Sequence, residues 1–303
     1  MKKTIDSLID NANEIIIGKE LQIRLALTCL FARGHLLIED LPGMGKTTLA
    51  HLLARLMGLN FNRIQFTSDL LPSDVIGAVI YNQDNGSFSF HPGPVFTQVV
   101  LADEINRASP KAQSALLEAM EERQVSIESE THSLPEPFFV IATQNPDFHV
   151  GTYPLPESQY DRFMMRLHLG FPSRSAERKI LTGRDRSILL QTVEPCITPE
   201  QVIEIQAAVP QIHASDAILD YIQDIVAYSR EHFSTSAGLS PRGSLALLRA
   251  AQSWALIHGR NAVIPEDVQT VLASVAGHRL KADNETLNST DLSHQLLQAV
   301  AIP

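Results

Sequence analysis

The sequence predicts an α/β fold in which a parallel sheet, covered by helices on both faces, precedes an all-helical unit. Three observations predict it. Short apolar runs alternate with helical stretches between residues 35 and 170, the pattern of a parallel sheet with both faces buried. A glycine-containing loop, "DLPGMG", separates the first of these runs from a helix that opens on Lys46. After "FPSRSAER" (171–178) the strand-like runs stop and helices follow one another.

In chain order, "KELQIRLALTCLFAR" (19–33) spaces Leu21, Leu25, Leu27 and Leu30 as a mostly buried helix, and "HLLIE" (35–39) is a short interior strand. "KTTLAHLLARLMG" is a helix ended by Gly58. Strands recur at "FNRIQF", "QVVLAD", "FFVIAT" and "FMMRLHL". "SPKAQSALLEAMEER" is a helix with Ser109 as N-cap, Pro110 at its first position and Arg123 at its end. Two stretches interrupt the alternation. "GAVIYNQDNGSFSFHPGPVF" places β-formers on both sides of Asn85-Gly86, a hairpin signal, and "QVSIESETHSLPEP" reads as a second hairpin turning near Glu128 to Glu130. The helical unit reads as "TPEQVIEIQAAV", with Thr198 as N-cap, then "SDAILDYIQDIVAYSREHF", "SPRGSLALLRAAQSWALIHG", "PEDVQTVLASVAGHRL" and a helical tail after Gly277. The expected division is an α/β unit over 1–172, with the hairpins near 77–93 and 124–134, and a helical unit over 173–303.

Composition narrows the classes. The chain has 303 residues, 44% hydrophobic and 19% charged, the balance of a globular protein. A net charge of -10 argues against nucleic acid or an anionic membrane as the main partner. Cys29 and Cys196 are too few for a disulfide framework or a metal cluster, and Asp6, Asp10 and Glu14 interrupt any signal-peptide core at the start. No run of 18 apolar residues is present, so no membrane span is expected, and the cytoplasm is the expected location.

The loop "EDLPGMGKTT" (39–48) follows a strand and opens a helix, the setting of a phosphate-binding loop. Pro42, Gly43, Met44 and Gly45 would let backbone amides and the helix N-terminus face phosphate oxygens. Lys46 would reach the β- and γ-phosphates, the hydroxyl of Thr47 would bind Mg²⁺, and Thr48 follows in the same turn. Asp40 stands where the full pattern has a glycine. At the end of "QVVLAD", Asp103 is placed to hold Mg²⁺ through its waters, and Glu104 to orient and deprotonate an attacking water. Adjacent carboxylates repel unless a cation or ligand uses them, and here a divalent cation and a polarised water would divide the work between them.

"DLPGMGKTTLA", "DLLPSDVIG", "GPVF", "VLADEINRASPKAQSALLEAMEE", "FFVIATQNP", "LPESQYDRF" and "LSPRGSLALLRAAQSWALIHGR" occur in order between about Gly18 and Asp267. Together they resemble the MoxR family of AAA+ ATPases. The resemblance implies a P-loop αβα core with a five-stranded parallel sheet, a helical lid, and ATP with Mg²⁺ in the cleft between them. It implies a homo-oligomeric ring, commonly a hexamer, whose sites are completed by neighbours. Residue by residue, Lys46 and Thr47 become the phosphate and Mg²⁺ contacts, and Asp103 and Glu104 the Walker B pair. Asn145 becomes the sensor that positions water, Arg162 the arginine finger and Arg242 the lid arginine that contacts the γ-phosphate. Ile17 and Gly18 fall where the family lines its adenine pocket. Arg107 follows the Walker B pair, and its role within or between chains stays open. By resemblance, the hairpins face the pore or a partner, with Tyr81, Phe88 and Phe90 as contact residues or as packing beneath the hairpin. Clients are protein complexes, often with a von Willebrand factor A-type partner.

Two other readings compete with a chaperone-like ATPase. A regulatory scaffold that binds ATP with little turnover is suggested by Asp40. A nucleic-acid motor ranks below it, because the insertion tips "NQDNG" and "IESETH" contain no Lys or Arg.

Overall fold

The computed structural model describes residues 1–83, 86–128, 130–146, 151–183, 186–232, 238–280 and 289–303. Two helices come first, α1 (Lys2–Ile15) and α2 (Glu20–Phe31), followed by β1 (Leu36–Glu39), α3 (Lys46–Leu56) and β2 (Phe61–Gln65). A short α4 (Pro72–Ile76) leads into the antiparallel pair β3 (Gly77–Asn82) and β4 (Ser87–Pro92), then β5 (Val99–Asp103) and α5 (Pro110–Glu122). The second pair, β6 (Gln124–Ile127) and β7 (Glu130–Ser133), precedes β8 (Phe139–Gln144), α6 (Glu157–Tyr160) and β9 (Met165–Leu167). The rest is helical: α7 (Arg174–Thr182), α8 (Arg186–Thr192), α9 (Pro199–Ala208), α10 (Asp216–His232), α11 (Pro241–Ile257), α12 (Pro265–Ala276) and α13 (Ser289–Ala299).

The five-stranded sheet runs β2-β5-β8-β1-β9 with every pairing parallel, as the run of fully apolar strands predicts. β5 and β8 are buried along their whole length. Parallel order puts the C-terminal ends of β1, β5 and β8 at one edge, where loops converge on a ligand crevice. One apolar cluster covers one face of the sheet and continues through α1, α2 and α3 into α9 to α13. A second, around Leu37, Val100, Val140, Leu116 and Phe163, fills the other face beneath α5.

Both hairpins form. Asn82 pairs with Ser87 and Ile127 with Glu130; the turn residues Asp84, Asn85 and Ser129 lie outside the described residues. Phe90 stacks on His132 at 4.1 Å and meets Phe96 edge-on at 5.5 Å, so it is packing between the hairpins. Tyr81 and Phe88 touch each other at 5.1 Å but remain 51% and 71% exposed. Ser109 and Thr198 cap their helices as expected, and Ser240 caps α11 in the same way. One expectation needs correction: the helix over 265–280 ends at Ala276, since Gly277 caps it and Arg279 turns back to the sheet side. α1 was not anticipated; Ile5, Leu8, Ile9 and Ala12 form a buried stripe at helical spacing.

A buried histidine makes stability pH-dependent. His35 accepts the Val140 N–H on Nδ1 at 2.9 Å, so Nε2 carries the proton and donates to the Met120 carbonyl at 3.1 Å. Burial pulls its pKa down to about 4. Above pH 6.5 the ring is neutral whether folded or unfolded and its contribution is complete. As pH falls from 6.5 towards 4 the unfolded chain takes up a proton that the folded one refuses, and about 3 kcal/mol is lost. Urea midpoints at pH 7.5, 6 and 5 should therefore decline, with a shallower decline in His35→Gln.

Candidate active site

The loop after β1 wraps because two glycines adopt left-handed backbone, Gly43 at φ 82° and Gly45 at φ 86°. Gly45 is the N-cap of α3. A Cβ at either position would meet nothing within 4 Å, so the loop opens onto free space. That space is a cleft of about 340 Å³. Pro42, Gly43, Gly45, Lys46, Thr47 and Thr48 line one side, and Asp103, Glu104 and Asn145 the other. The sequence-predicted loop, carboxylates and sensor therefore meet in one place. Met44 instead packs against the apolar core. Among the described residues none beyond Asn145 lines the cleft.

Lys46 lies over this loop and is largely buried. Its Nζ donates to the Asp40 carbonyl and to Asn145 Oδ1 at 2.9 Å. Burial lowers its pKa, while the carboxylates of Asp40, Asp103, Glu104 and Glu39 act to raise it. An ammonium poised among oxygens at a helix N-terminus is suited to a polyphosphate.

The adjacent carboxylates are held apart by separate partners. Arg63 Nε and Nη2 donate to Asp103 Oδ2 at 3.0 and 2.6 Å, and Thr143 Oγ1 donates to Asp103 Oδ1 at 2.6 Å. The same Thr143 oxygen accepts the Glu104 N–H at 2.9 Å. Glu104 sits in left-handed backbone, φ 56° and ψ 49°, an arrangement of a non-glycine residue that costs energy and recurs at functional sites. Asn145 Nδ2 approaches Glu104 Oε1 at 3.4 Å, while Gln65 donates to Oε2 at 3.1 Å and Arg107 pairs with it at 3.1 Å. Arg107 thus pairs with Glu104 of its own chain. From α5, the buried Gln113 grips the turn after Glu104 by donating to the carbonyls of Ile105 and Ala108.

Asp40 turns away from the cleft. Its Oδ2 accepts the Gly170 N–H at 2.6 Å and its Oδ1 the Leu41 N–H at 2.9 Å. The replacement of the first glycine thus ties the loop to the segment after β9, where Lys19 also bonds the carbonyls of Leu169 and Phe171. The carboxylate thus points away from the cleft, while its charge still acts on Lys46.

The remaining sequence candidates are not brought to this cleft. Arg162 pairs with Glu121 at 3.0 Å, and Arg242 pairs with the same carboxylate. Arg242 therefore lies beside Arg162 and is not among the residues that line the cleft of its own chain. The cause is the docking of α11: Ser240, its N-cap, donates to Asp161 Oδ2 at 3.0 Å, and Arg279 donates to Asp161 Oδ1 at 2.7 Å and to the Phe163 carbonyl at 2.8 Å. Gly18, at φ 74°, meets Ala176 at the start of α7, 2.9 Å from where its Cβ would be. Neither Gly18 nor Ile17 lines the cleft.

Arg63, Gln65 and Thr143 were missed as site residues. Strand order brings them in: β2 runs beside β5 with Gln65 opposite Asp103, and β8, which carries Thr143, lies on the other side of β5. Among the described residues no three His, Cys, Asp or Glu side chains group to hold a metal ion. Magnesium arriving with a nucleotide needs only one or two carboxylates, and Asp103 with the Thr47 hydroxyl fits that requirement. No helix among the described residues is long and apolar enough to cross a membrane.

Comparison with known proteins agrees with this geometry. Residues 35–165 match the family model for ATPases associated with various cellular activities, and 227–296 match the AAA lid domain. The protein YeaC of Bacillus subtilis is 46% identical, with 97% of this chain and 93% of YeaC aligned. Chaperone MoxR1 of Mycobacterium tuberculosis is 38% identical over 99% of this chain and 82% of its own length. Protein MoxR of Paracoccus denitrificans is 34% identical over 88% and 86%. The crystal structure of a candidate ATPase from Cytophaga hutchinsonii superposes with a TM-score of 0.88 at 36% identity, covering 100% of this chain and 96% of that one. With the sheet order, the phosphate loop and the carboxylate pair, these matches place the chain in the MoxR family of AAA+ ATPases.

Proposed function

We propose that the chain hydrolyses ATP in a ring of identical subunits, each site completed by a neighbour, and that turnover remodels client proteins. The observation that carries this reading is a division of labour. Lys46, Asp103, Glu104 and Asn145 meet in one cleft, whereas Arg162 and Arg242 converge on Glu121 instead. Arginines that do not reach their own cleft are available to a neighbour's.

In this reading the loop amides and Lys46 hold the β- and γ-phosphates. Thr47 and Asp103 would hold the magnesium that accompanies ATP, whose charge would offset that of the phosphate oxygens. Glu104 and Asn145 orient a water in line with the γ-phosphorus. The water oxygen bonds to phosphorus as the bond to the β–γ bridging oxygen breaks, ADP leaves, and the water's proton passes to Glu104. Lys46 and the neighbour's arginines offset the charge that develops.

The core, 1–172, and the helical lid, 173–303, would shift relative to each other through Phe171 to Ser173. The exposed Tyr81 and Phe88 supply a surface for the client or the pore. A relative named as a chaperone supports a protein client, and a hexamer with a von Willebrand factor A-type partner is the assembly the family resemblance implies. The test is turnover per subunit against protein concentration, with ATP binding measured in parallel. A steep rise with concentration supports the shared site, and a rate independent of concentration overturns it. Tight binding without turnover at every concentration favours the scaffold.

A further inference from the structure

Glu121 and Arg242 each stand against the dipole of their own helix. Glu121 lies in the last turn of α5, where carbonyl dipoles disfavour a carboxylate, and Arg242 in the first turn of α11, where amide dipoles disfavour a cation. No basic residue occupies the last turn of α5 and no acidic one the first turn of α11. As a stabilising contact the cluster is weak. The side chains are 35% exposed for Glu121, 29% for Arg162 and 48% for Arg242, and such pairs contribute roughly 0–1 kcal/mol. Two guanidinium groups also repel each other, and the Glu121 carboxylate between them offsets that repulsion. Beside them is a recess of about 220 Å³ lined by Arg33, Arg162, Arg242, Arg249 and Arg279, with Asp161 as its one carboxylate among the lining residues. This surface is electropositive on a chain whose net charge is -10.

We infer that Glu121 is a positioning residue for hydrolysis in the adjoining subunit: its carboxylate holds Arg162 and Arg242 at one point, so that both meet the same γ-phosphate across the interface. The inference rests on the shared-site reading above. In a single chain the carboxylate stands where the guanidinium groups converge. Each guanidinium carries five N–H donors in a planar fork and commits one nitrogen, Nη2, to Glu121. The others remain for phosphate oxygens, and donors already aimed need no rearrangement at the moment of reaction. Arg162 comes from the segment before β9 and Arg242 from α11. One carboxylate therefore sets the spacing of two cations that sequence places 80 residues apart.

The test uses full-length Glu121→Gln, which keeps shape and removes charge. Alone, it should lose about 10²-fold in kcat, the cost of a misplaced catalytic group, with the KM for ATP nearly unchanged because its own cleft is intact. Mixed with Glu104→Gln, it should regain activity above the sum of the separate proteins. In the mixture a Glu121→Gln subunit keeps its own Glu104 and receives a correctly held arginine pair from its neighbour. Arg162→Ala mixed with Glu104→Gln is the reference. Rescue of Arg162→Ala but not of Glu121→Gln overturns the inference alone, as does an unchanged kcat or a loss confined to KM. Rescue of neither overturns the shared site, and the role of Glu121 with it.

Discussion

Glu104→Gln is expected to lower ATP turnover by about 10²–10⁴-fold while ATP binding stays within about twofold. The substitution keeps the side chain's shape and its approach to Asn145 and Gln65. It removes the charge that accepts the proton from water. Lys46, the loop glycines and Asp103 are untouched, so the phosphates keep their contacts. A filter-binding or fluorescence titration beside a phosphate-release assay separates the two effects. Equal losses in binding and turnover would show that Glu104 supports the ground state rather than the reaction.

Arg162→Ala should cost still more, about 10³–10⁵-fold in turnover at concentrations where the wild type is assembled. Its own cleft has no Arg162 among its lining residues, so affinity for ATP per subunit should hold. The distinctive sign is in the concentration dependence. The wild-type rate climbs with assembly, whereas the variant stays near the dilute rate throughout. Loss of the pair with Glu121 alone has little effect on folding, because both side chains are partly solvated. A thermal midpoint near that of the wild type would confirm that the loss lies in chemistry rather than stability.

The parallel strands, the loop between β1 and α3, and the capped helices after residue 173 were legible because each is written in local pattern: apolar runs, Gly-Lys-Thr, or Ser and Thr before Pro. Asp103, Glu104 and Asn145 were legible because each ends, or directly follows, such a run. What was not legible depended on pairing across the chain. Arg63 and Gln65 reach the Walker B residues only because β2 lies beside β5. The direction of Asp40 depended on an amide 130 residues away, at Gly170. Arg242 belonged to a recognisable motif, yet the motif does not say which face of the molecule α11 presents. That is decided by Ser240 and Arg279 gripping Asp161.

The run of α5 has a mechanical consequence. At about 1.5 Å per residue its 13 residues form a rod of about 20 Å. One end is latched to the turn behind Glu104 by Gln113, the other carries Glu121, and β6 follows it directly. Through the Phe90–His132 stack the second hairpin is strapped to the first. In the proposed ring, a displacement where water would be activated would pass along this helix both to the arginines paired with Glu121 and to the two hairpins. Push and pull between successive subunits and their cargo would share a single lever arm.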